Sequence, residues 1–298
     1  MLKFKDAVSG SGFKMEGYYI WCGSMIKEGD TYYLFAARWP KEEKFPDGYL
    51  THSEIVLATT KDLSQPFQFE KVLISKREGE YWDSAMAHNP YIFRTEEGYA
   101  LYYIGSPDGG TKNRAIGFAM SKYLTEGWVR SEKAFVLPQD ANNPCPVQTP
   151  EGDWLLYFRD TRCHVSVARA KSYKGPFEVV AYDLYPEGAV EDMFVYWNGQ
   201  EYVMIAEDCK GVYTGLHKGG LKCSSKDGIH WPKANIEQAY DFNVKYDNGM
   251  ELVLQRRERP IIFFDGDRKY LVNGAKINGE DQLRGGDTWN IIQEIEAE

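Results

Sequence analysis

Five times along this 298-residue chain a short apolar-aromatic run recurs directly after a turn. The runs are Tyr32-Tyr33-Leu34-Phe35-Ala36, Ala100-Leu101-Tyr102-Tyr103-Ile104, Trp154-Leu155-Leu156-Tyr157-Phe158, Tyr202-Val203-Met204-Ile205-Ala206 and Tyr270-Leu271-Val272. The turns before them read Glu28-Gly29-Asp30, Glu96-Glu97-Gly98, Glu151-Gly152-Asp153, Asn198-Gly199-Gln200 and Asp265-Gly266-Asp267. A short Asp/Asn/Gly connection between apolar runs is a hairpin signal, because those residues reach the left-handed backbone that a tight turn needs. A return of the hairpin every roughly 50 to 70 residues suits propeller blades of four strands better than helical repeats. The sequence therefore predicts an all-β, five-bladed β-propeller with four-stranded antiparallel blades.

The second half of each unit supports this. Ser53 to Ala58, Arg114 to Ala119, His164 to Ala168 and Gly220 to Ser224 occupy one relative place, and each runs into a turn and an outer strand. The fifth unit lacks a full set. Its missing strand is expected from the amino end, Leu2 to Val8, beside Thr288 to Ile295, which closes the ring and removes an exposed sheet edge. No linker or low-complexity tract interrupts the repeats, so residues 1–298 are expected to form a single domain.

A net charge of −9 argues against nucleic acid, which calls for a basic face. The amino end has no apolar leader core, and no run of about 18 apolar residues occurs, so no membrane partner is expected. The expected location is cytoplasmic, or periplasmic where a leader has been removed. Five cysteines (Cys22, Cys145, Cys163, Cys209, Cys223) at irregular spacing, with no Cys-x-x-Cys, read as buried thiols rather than disulfides or a zinc site. The sequence leaves the oligomeric state open.

Aromatic residues make up 15% of the chain. Most are expected between blades, but Trp21, Trp39 and Trp82 stand beside polar clusters, where a sugar's C–H face rests on an aromatic plane while its hydroxyls seek polar groups. The inner strand of each blade starts at one mouth. The segments there are Met15 to Ser24 with Glu16, Trp82 to Pro90 with Asp83, His88 and Asn89, Asn142-Asn143-Pro144, Val190-Glu191-Asp192 and Arg257-Glu258-Arg259-Pro260. Acids, amides, His and Arg at five equivalent inward positions are costly unless paired or used.

These five mouths resemble the five-bladed glycoside hydrolases of families 43, 32, 62 and 117, and the resemblance covers nearly the whole chain. It implies an oligosaccharide substrate, cleaved at a terminal sugar by carboxylate acid/base chemistry with no required cofactor; a structural divalent cation such as calcium in the channel is compatible with it. Glu191 stands where that family's general acid is expected. Family 43 starts blade one with an Asp-Pro that supplies the base, where this chain has Cys22-Gly23, and tends to carry an Asp in blade three, where this chain has Asn143. A base is then expected among Glu16, Asp83, Asp192 and Glu258, with Asp83 first and Glu16 next. One acid must hold a proton while the other stays charged. Adjacency on a strand predicts that only one of Glu191 and Asp192 faces the channel.

Substrate contacts are expected from Trp21, Arg38, Trp82, His88, Asn89, Asn143, Arg159, Asp160, Asp192 and Arg259, with Arg162 beside them. An arginine fork grips hydroxyls or carboxylates, inter-blade ion pairs being the plain alternative. His88 alone is weak evidence for a metal, and its ligands are left unassigned. Two other functions fit: a phosphorylase similar to family 130, whose Glu-Asp-Pro blade start resembles Glu191-Asp192, and a carbohydrate-binding propeller without catalysis.

Overall fold

The computed structural model describes residues 1–160, 162 and 164–297, so Cys163 of the sequence reading lies outside the described residues. Blade one is β1 (Tyr18–Glu28), β2 (Thr31–Pro40), β3 (Glu54–Thr60) and β4 (Gln68–Ile74), with a one-turn helix α1 (Tyr49–His52) before β3. Blade two is β5 (Met86–Thr95), β6 (Gly98–Ser106), β7 (Ala115–Ser121) and β8 (Val129–Arg130). Blade three is β9 (Asn142–Gln148), β10 (Trp154–Arg159), β11 (Val165–Ala170) and β12 (Glu178–Ala181). Blade four is β13 (Val190–Trp197), β14 (Tyr202–Asp208), β15 (Gly219–Ser225) and β16 (Glu237–Tyr240). A hairpin of β17 (Asn243–Lys245) and β18 (Glu251–Val253), which the repeats do not announce, leads to blade five: β19 (Arg256–Asp265), β20 (Arg268–Ile277) and β21 (Asp287–Ile295). The strands within each blade pair antiparallel.

The amino-terminal segment completes blade five. Phe4 bridges Ile295 antiparallel, the Lys5 N–H donates to Glu294 O, and Phe13 and Asn290 exchange both backbone bonds. These are bridges along the outer edge of β21 rather than a regular strand. They still satisfy the edge groups that an open ring leaves exposed.

Among the described residues, five of the seven apolar clusters lie one between each pair of neighbouring blades, and the repeated runs explain why. Successive side chains on a strand point to opposite faces. On β2, Leu34 and Ala36 pack toward blade five while Phe35 packs toward blade two. On β10, Leu155 and Tyr157 face blade four while Leu156 and Phe158 face blade two. A strand buried on both faces loses hydrophobic alternation and reads as a continuous apolar run, as these do. No helix among the described residues is long and apolar enough to cross a membrane.

Candidate active site

Each inner strand breaks its pairing once, near the axis. The breaks lie between Trp21 and Ser24, His88 and Tyr91, Glu191 and Phe194, and Glu258 and Ile261, and on β9 opposite Tyr157 and Arg159. In each break one residue takes a left-handed backbone: Cys22 (φ 53°), Asn89 (φ 52°), Asn143 (φ 55°), Asp192 (φ 58°) and Arg259 (φ 54°). Asn and Asp tolerate that region; for Cys and Arg it costs on the order of 1–2 kcal/mol, and such strain persists only where surroundings impose it.

What imposes it is a ring of side-chain contacts around the axis. The Cys22 thiol donates to Asn89 Oδ1 (2.6 Å), Asn89 Nδ2 to Asn143 Oδ1 (2.5 Å), and Asn143 Nδ2 to Asp192 Oδ1 (2.6 Å). Arg259 donates to Asp192 from its backbone N–H (3.2 Å) and from Nη1 (3.4 Å), and its guanidinium reaches Cys22 to close the circle. Burial pushes the Cys22 thiol well up against the opposing pull of Arg259, which keeps it protonated and able to donate.

The bulges also overturn one expectation from strand alternation. An extra residue in the strand lets neighbours face the same way, so Glu191 and Asp192 both line the central cavity. The cavity measures about 180 Å³ and is walled by Trp21, Trp39, Phe45 and Tyr49 on one side, with His88, Arg114, Arg159, Glu191, Arg256 and Glu258 among its polar groups. The Trp21 indole lies against the bare backbone of Gly274, where a Cβ would meet the ring at 2.9 Å.

Every charge at this cavity has a partner. Glu191 pairs with Arg159 and accepts the Cys209 thiol at Oε1 (3.2 Å). Glu258 is gripped by the Arg256 fork (2.5 and 2.7 Å), and Arg114 forks onto Asp140 (2.6 and 2.8 Å). Behind them, Lys218 Nζ donates to Glu207 Oε1 (2.7 Å) and Glu258 Oε1 (3.3 Å), while Glu207 Oε2 is buried with no hydrogen-bond partner.

Burial pushes Glu207 well up, aided by the charge of Glu258, and lifts Asp192 to about 6 against the pull of Arg259. For Glu191, burial is outweighed by Arg159 and Lys218, which hold its carboxyl below the usual range. Glu191 at the cavity is therefore charged, while burial favours the protonated form of Glu207 behind it and raises Asp192 beside it. His88 is neutral, since burial and then Arg259 and Arg114 lower its basicity; its Nδ1 meets Ser53 Oγ at 2.7 Å and its ring stacks on Tyr49 at 4.5 Å.

Among the described residues two sets of ligand atoms lie within 4.8 Å of one another, Glu191–Glu207–Cys209 and Asp192–Glu207–Glu258, and neither includes His88. Lys218 already supplies the cation to both Glu207 and Glu258, so the second set does not fit a divalent ion without displacing it.

No protein-family model and no curated protein matches the chain. Among solved structures it is similar to a thermostable family-43 glycoside hydrolase, with TM-score 0.67, 13% identity, and coverage of 99% of this chain and 94% of that one. A family 117 glycoside hydrolase from the marine bacterium Zobellia galactanivorans gives TM-score 0.63 and 15% identity over 99% and 87% of the two chains. An endo-arabinanase of family 43 from Bacillus licheniformis gives TM-score 0.62 and 18% identity over 97% of each. The fold is that of the five-bladed glycoside hydrolases.

Within this glycoside hydrolase fold, the cavity brings together Trp21, His88, Asn89, Asn143, Arg159, Glu191, Asp192, Glu258 and Arg259 of the sequence-derived candidates. Five others stand elsewhere, for reasons visible locally. Asp83 precedes β5 rather than opening it; it is fully buried under Tyr103 (2.8 Å) and Arg130 (3.2 Å), inside blade two. Trp82 packs on Tyr103 and donates to Ser131 O. Glu16 is exposed in the turn before β1. Arg38 pairs with Glu54 (2.7 Å) and lies over Tyr18, and Asp160 caps the turn after β10 by accepting the Arg162 fork and the Arg162 and His164 N–H groups. As placed, Asp83 and Glu16 cannot reach a sugar in the cavity, which corrects the expected order of bases.

Sequence reasoning missed Phe45, Tyr49, Arg114, Arg256, Glu207 and Lys218. Arg114 and Arg256 do stand at strand starts, a signal available in the repeats. Glu207 lies directly across the blade-four hairpin from Glu191, a pairing that the hairpin register supplies. Phe45, Tyr49 and Lys218 lie outside the strands, where the repeats say nothing.

Proposed function

We propose that this chain is a glycoside hydrolase that removes a terminal sugar from an oligosaccharide, with Glu191 and Glu258 as the working carboxylates. The observation that carries the reading is the convergence of these two acids, from adjacent blades, on one cavity with an aromatic wall. At about 180 Å³ the cavity is smaller than the roughly 300–1,000 Å³ pockets that take drug-sized ligands, which suits a single ring. The similar solved structures support the class, since those reported above are glycoside hydrolases.

In this reading Glu191 gives its proton to the glycosidic oxygen as the bond to the anomeric carbon breaks, the electron pair leaving with that oxygen. Water adds at the carbon and surrenders a proton to Glu258. Glu191 is charged at rest, so it must first take up a proton; the interior cluster beside it, with burial raising Glu207 and Asp192, is a proton store. Arg159 opposes that uptake. Arg159→Met is therefore expected to raise the Glu191 pKa and carry the high-pH limb of the pH–rate profile upward, because a general acid works only while protonated. A limb that stays put or moves down would contradict the role of Glu191.

A second reading, binding without turnover, is favoured by the axial ring itself, which places the neutral Cys22 and Asn143 where family 43 enzymes tend to carry acids. One experiment separates the two. Aryl glycosides and neutral plant and algal oligosaccharides are incubated with the protein, with and without inorganic phosphate, and products are resolved by chromatography. Free monosaccharide in phosphate-free buffer supports the hydrolase. A sugar phosphate formed only with phosphate replaces it by a phosphorylase, and calorimetric binding with no product replaces it by a lectin-like propeller.

A further inference from the structure

Beside the central cavity lies a second and larger one. Residues 41–48, after β2, and residues 278–286, between β20 and β21, stand on either side of a trough of about 750 Å³, some four times the 180 Å³ of the central cavity. Phe45 and Pro46 line both spaces, so the two lie side by side with one aromatic ring between them. The trough is large enough for several rings by the size of ordinary ligand pockets, whereas the central cavity is not.

The trough is a built surface. Gln255 clamps the 278–286 loop by accepting the Gly279 N–H (2.7 Å) and donating to Gly279 O (3.0 Å). Lys276 Nζ donates to Asp281 O (2.6 Å), and the Arg284 fork closes on Asp281 (2.9 and 2.7 Å). Lys41 Nζ ties the facing loop to Asp287 (2.6 Å). The braced loop presents Leu283, 53% exposed, opposite the Tyr19–Phe45 ring pair, whose centroids are 5.2 Å apart. An exposed apolar side chain with carboxylates and ammonium groups around it along the rim matches the alternating C–H faces and hydroxyls of a sugar chain. Five carboxylates line the trough against Lys41, Lys44 and Arg284, an excess that repels sulfated or uronate chains.

We infer that this trough is a second saccharide subsite, which holds the non-terminal units of a neutral oligosaccharide whose end ring sits in the central cavity. The inference rests on the saccharide reading of that cavity, and the test is chosen so that the two fail differently. Wild-type protein is titrated calorimetrically with linear arabino-, xylo-, manno- and galacto-tetrasaccharides, with the matching monosaccharides, and with tetragalacturonate.

The best-bound neutral tetrasaccharide is expected to bind at least about tenfold more tightly than its monosaccharide, and Leu283→Glu to reduce that ratio about tenfold, because burying a leucine-sized apolar contact is worth that much. Tetragalacturonate is expected to bind more weakly than every neutral tetrasaccharide that binds. A wild-type ratio near one, or a ratio that Leu283→Glu leaves unchanged in a protein with wild-type melting, overturns the trough while the central cavity keeps its reading. Tighter binding of tetragalacturonate overturns the neutral class. Binding of no saccharide of either size overturns both readings together.

Discussion

Glu191→Gln is expected to lower kcat/KM on the saccharide that the wild-type protein cleaves by on the order of 100-fold or more, the usual scale for loss of a general acid. Glutamine keeps the shape of the side chain and an oxygen to accept the Cys209 thiol, so the blade-four strand start should keep its geometry. It cannot pass a proton to the leaving oxygen. The loss should be larger for alkyl-linked oligosaccharides than for aryl glycosides, because a phenolate departs without much help while a sugar alkoxide does not. A nucleophile or base at position 191 gives a different pattern, in which good and poor leaving groups suffer alike. Saccharide affinity measured by calorimetry should survive, since Gln still offers hydrogen bonds. Activity within a few fold of wild type on an alkyl-linked substrate would remove Glu191 from the chemistry.

The ring of blades was legible because it repeats. Each middle strand is buried on both faces, so its sequence is a continuous apolar run, and a run that returns five times after a Gly-containing turn needs no long-range knowledge to recognise. Gly29, Gly152, Gly199 and Gly266 do take positive φ at those turns. The site was legible only where it lies on the repeat. Asn89, Asn143, Asp192 and Arg259 occupy the same bulge position in four blades, and the mouths of the blades pointed to them.

The bulge itself carries no composition of its own, and without it strand alternation sends Glu191 and Asp192 to opposite faces. Asp83 shows the other failure. It sits three residues before the start of β5, and that offset turns an expected channel acid into a buried partner of Tyr103 and Arg130. Phe45 comes from the connection after β2, whose path depends on contacts with Trp39 and Tyr19 that no local pattern encodes.

Asn143→Leu is expected to destabilise the protein by roughly 3–5 kcal/mol, a large share of the ~5–15 kcal/mol that holds an ordinary fold together. The side chain at position 143 is the middle link of the axial ring, taking a bond from Asn89 and giving one to Asp192. Leucine does neither, which strands the buried Asn89 amide and removes a donor from a buried carboxyl; each such orphan costs about 1–3 kcal/mol. It also has to adopt φ near 55°, where a non-Gly, non-Asn residue pays about 1–2 kcal/mol. These terms share one site and do not simply add. The measurement is the urea midpoint at constant m-value.

Asn143→Asp separates the bonding from the backbone, since Asp accepts the same φ and fills the same space. It replaces the donor to Asp192 with an oxygen, at a contact now 2.6 Å long, so the two carboxyls must share a proton. Asp192 is already lifted to about 6, and the new neighbour raises the pair further. A carboxyl raised in the folded state adds stability that is complete below its unfolded value of about 3.9 and is lost as pH climbs through the folded value. Asn143→Asp should therefore match wild type near pH 4 and fall behind progressively from there through pH 6 and above, whereas Asn143→Leu should be weak at every pH. Equal stability of all three proteins at pH 7 would mean that the side chains meeting on the axis do not hold the blades in register. The interfaces between blades would then be sufficient to centre the ring by themselves.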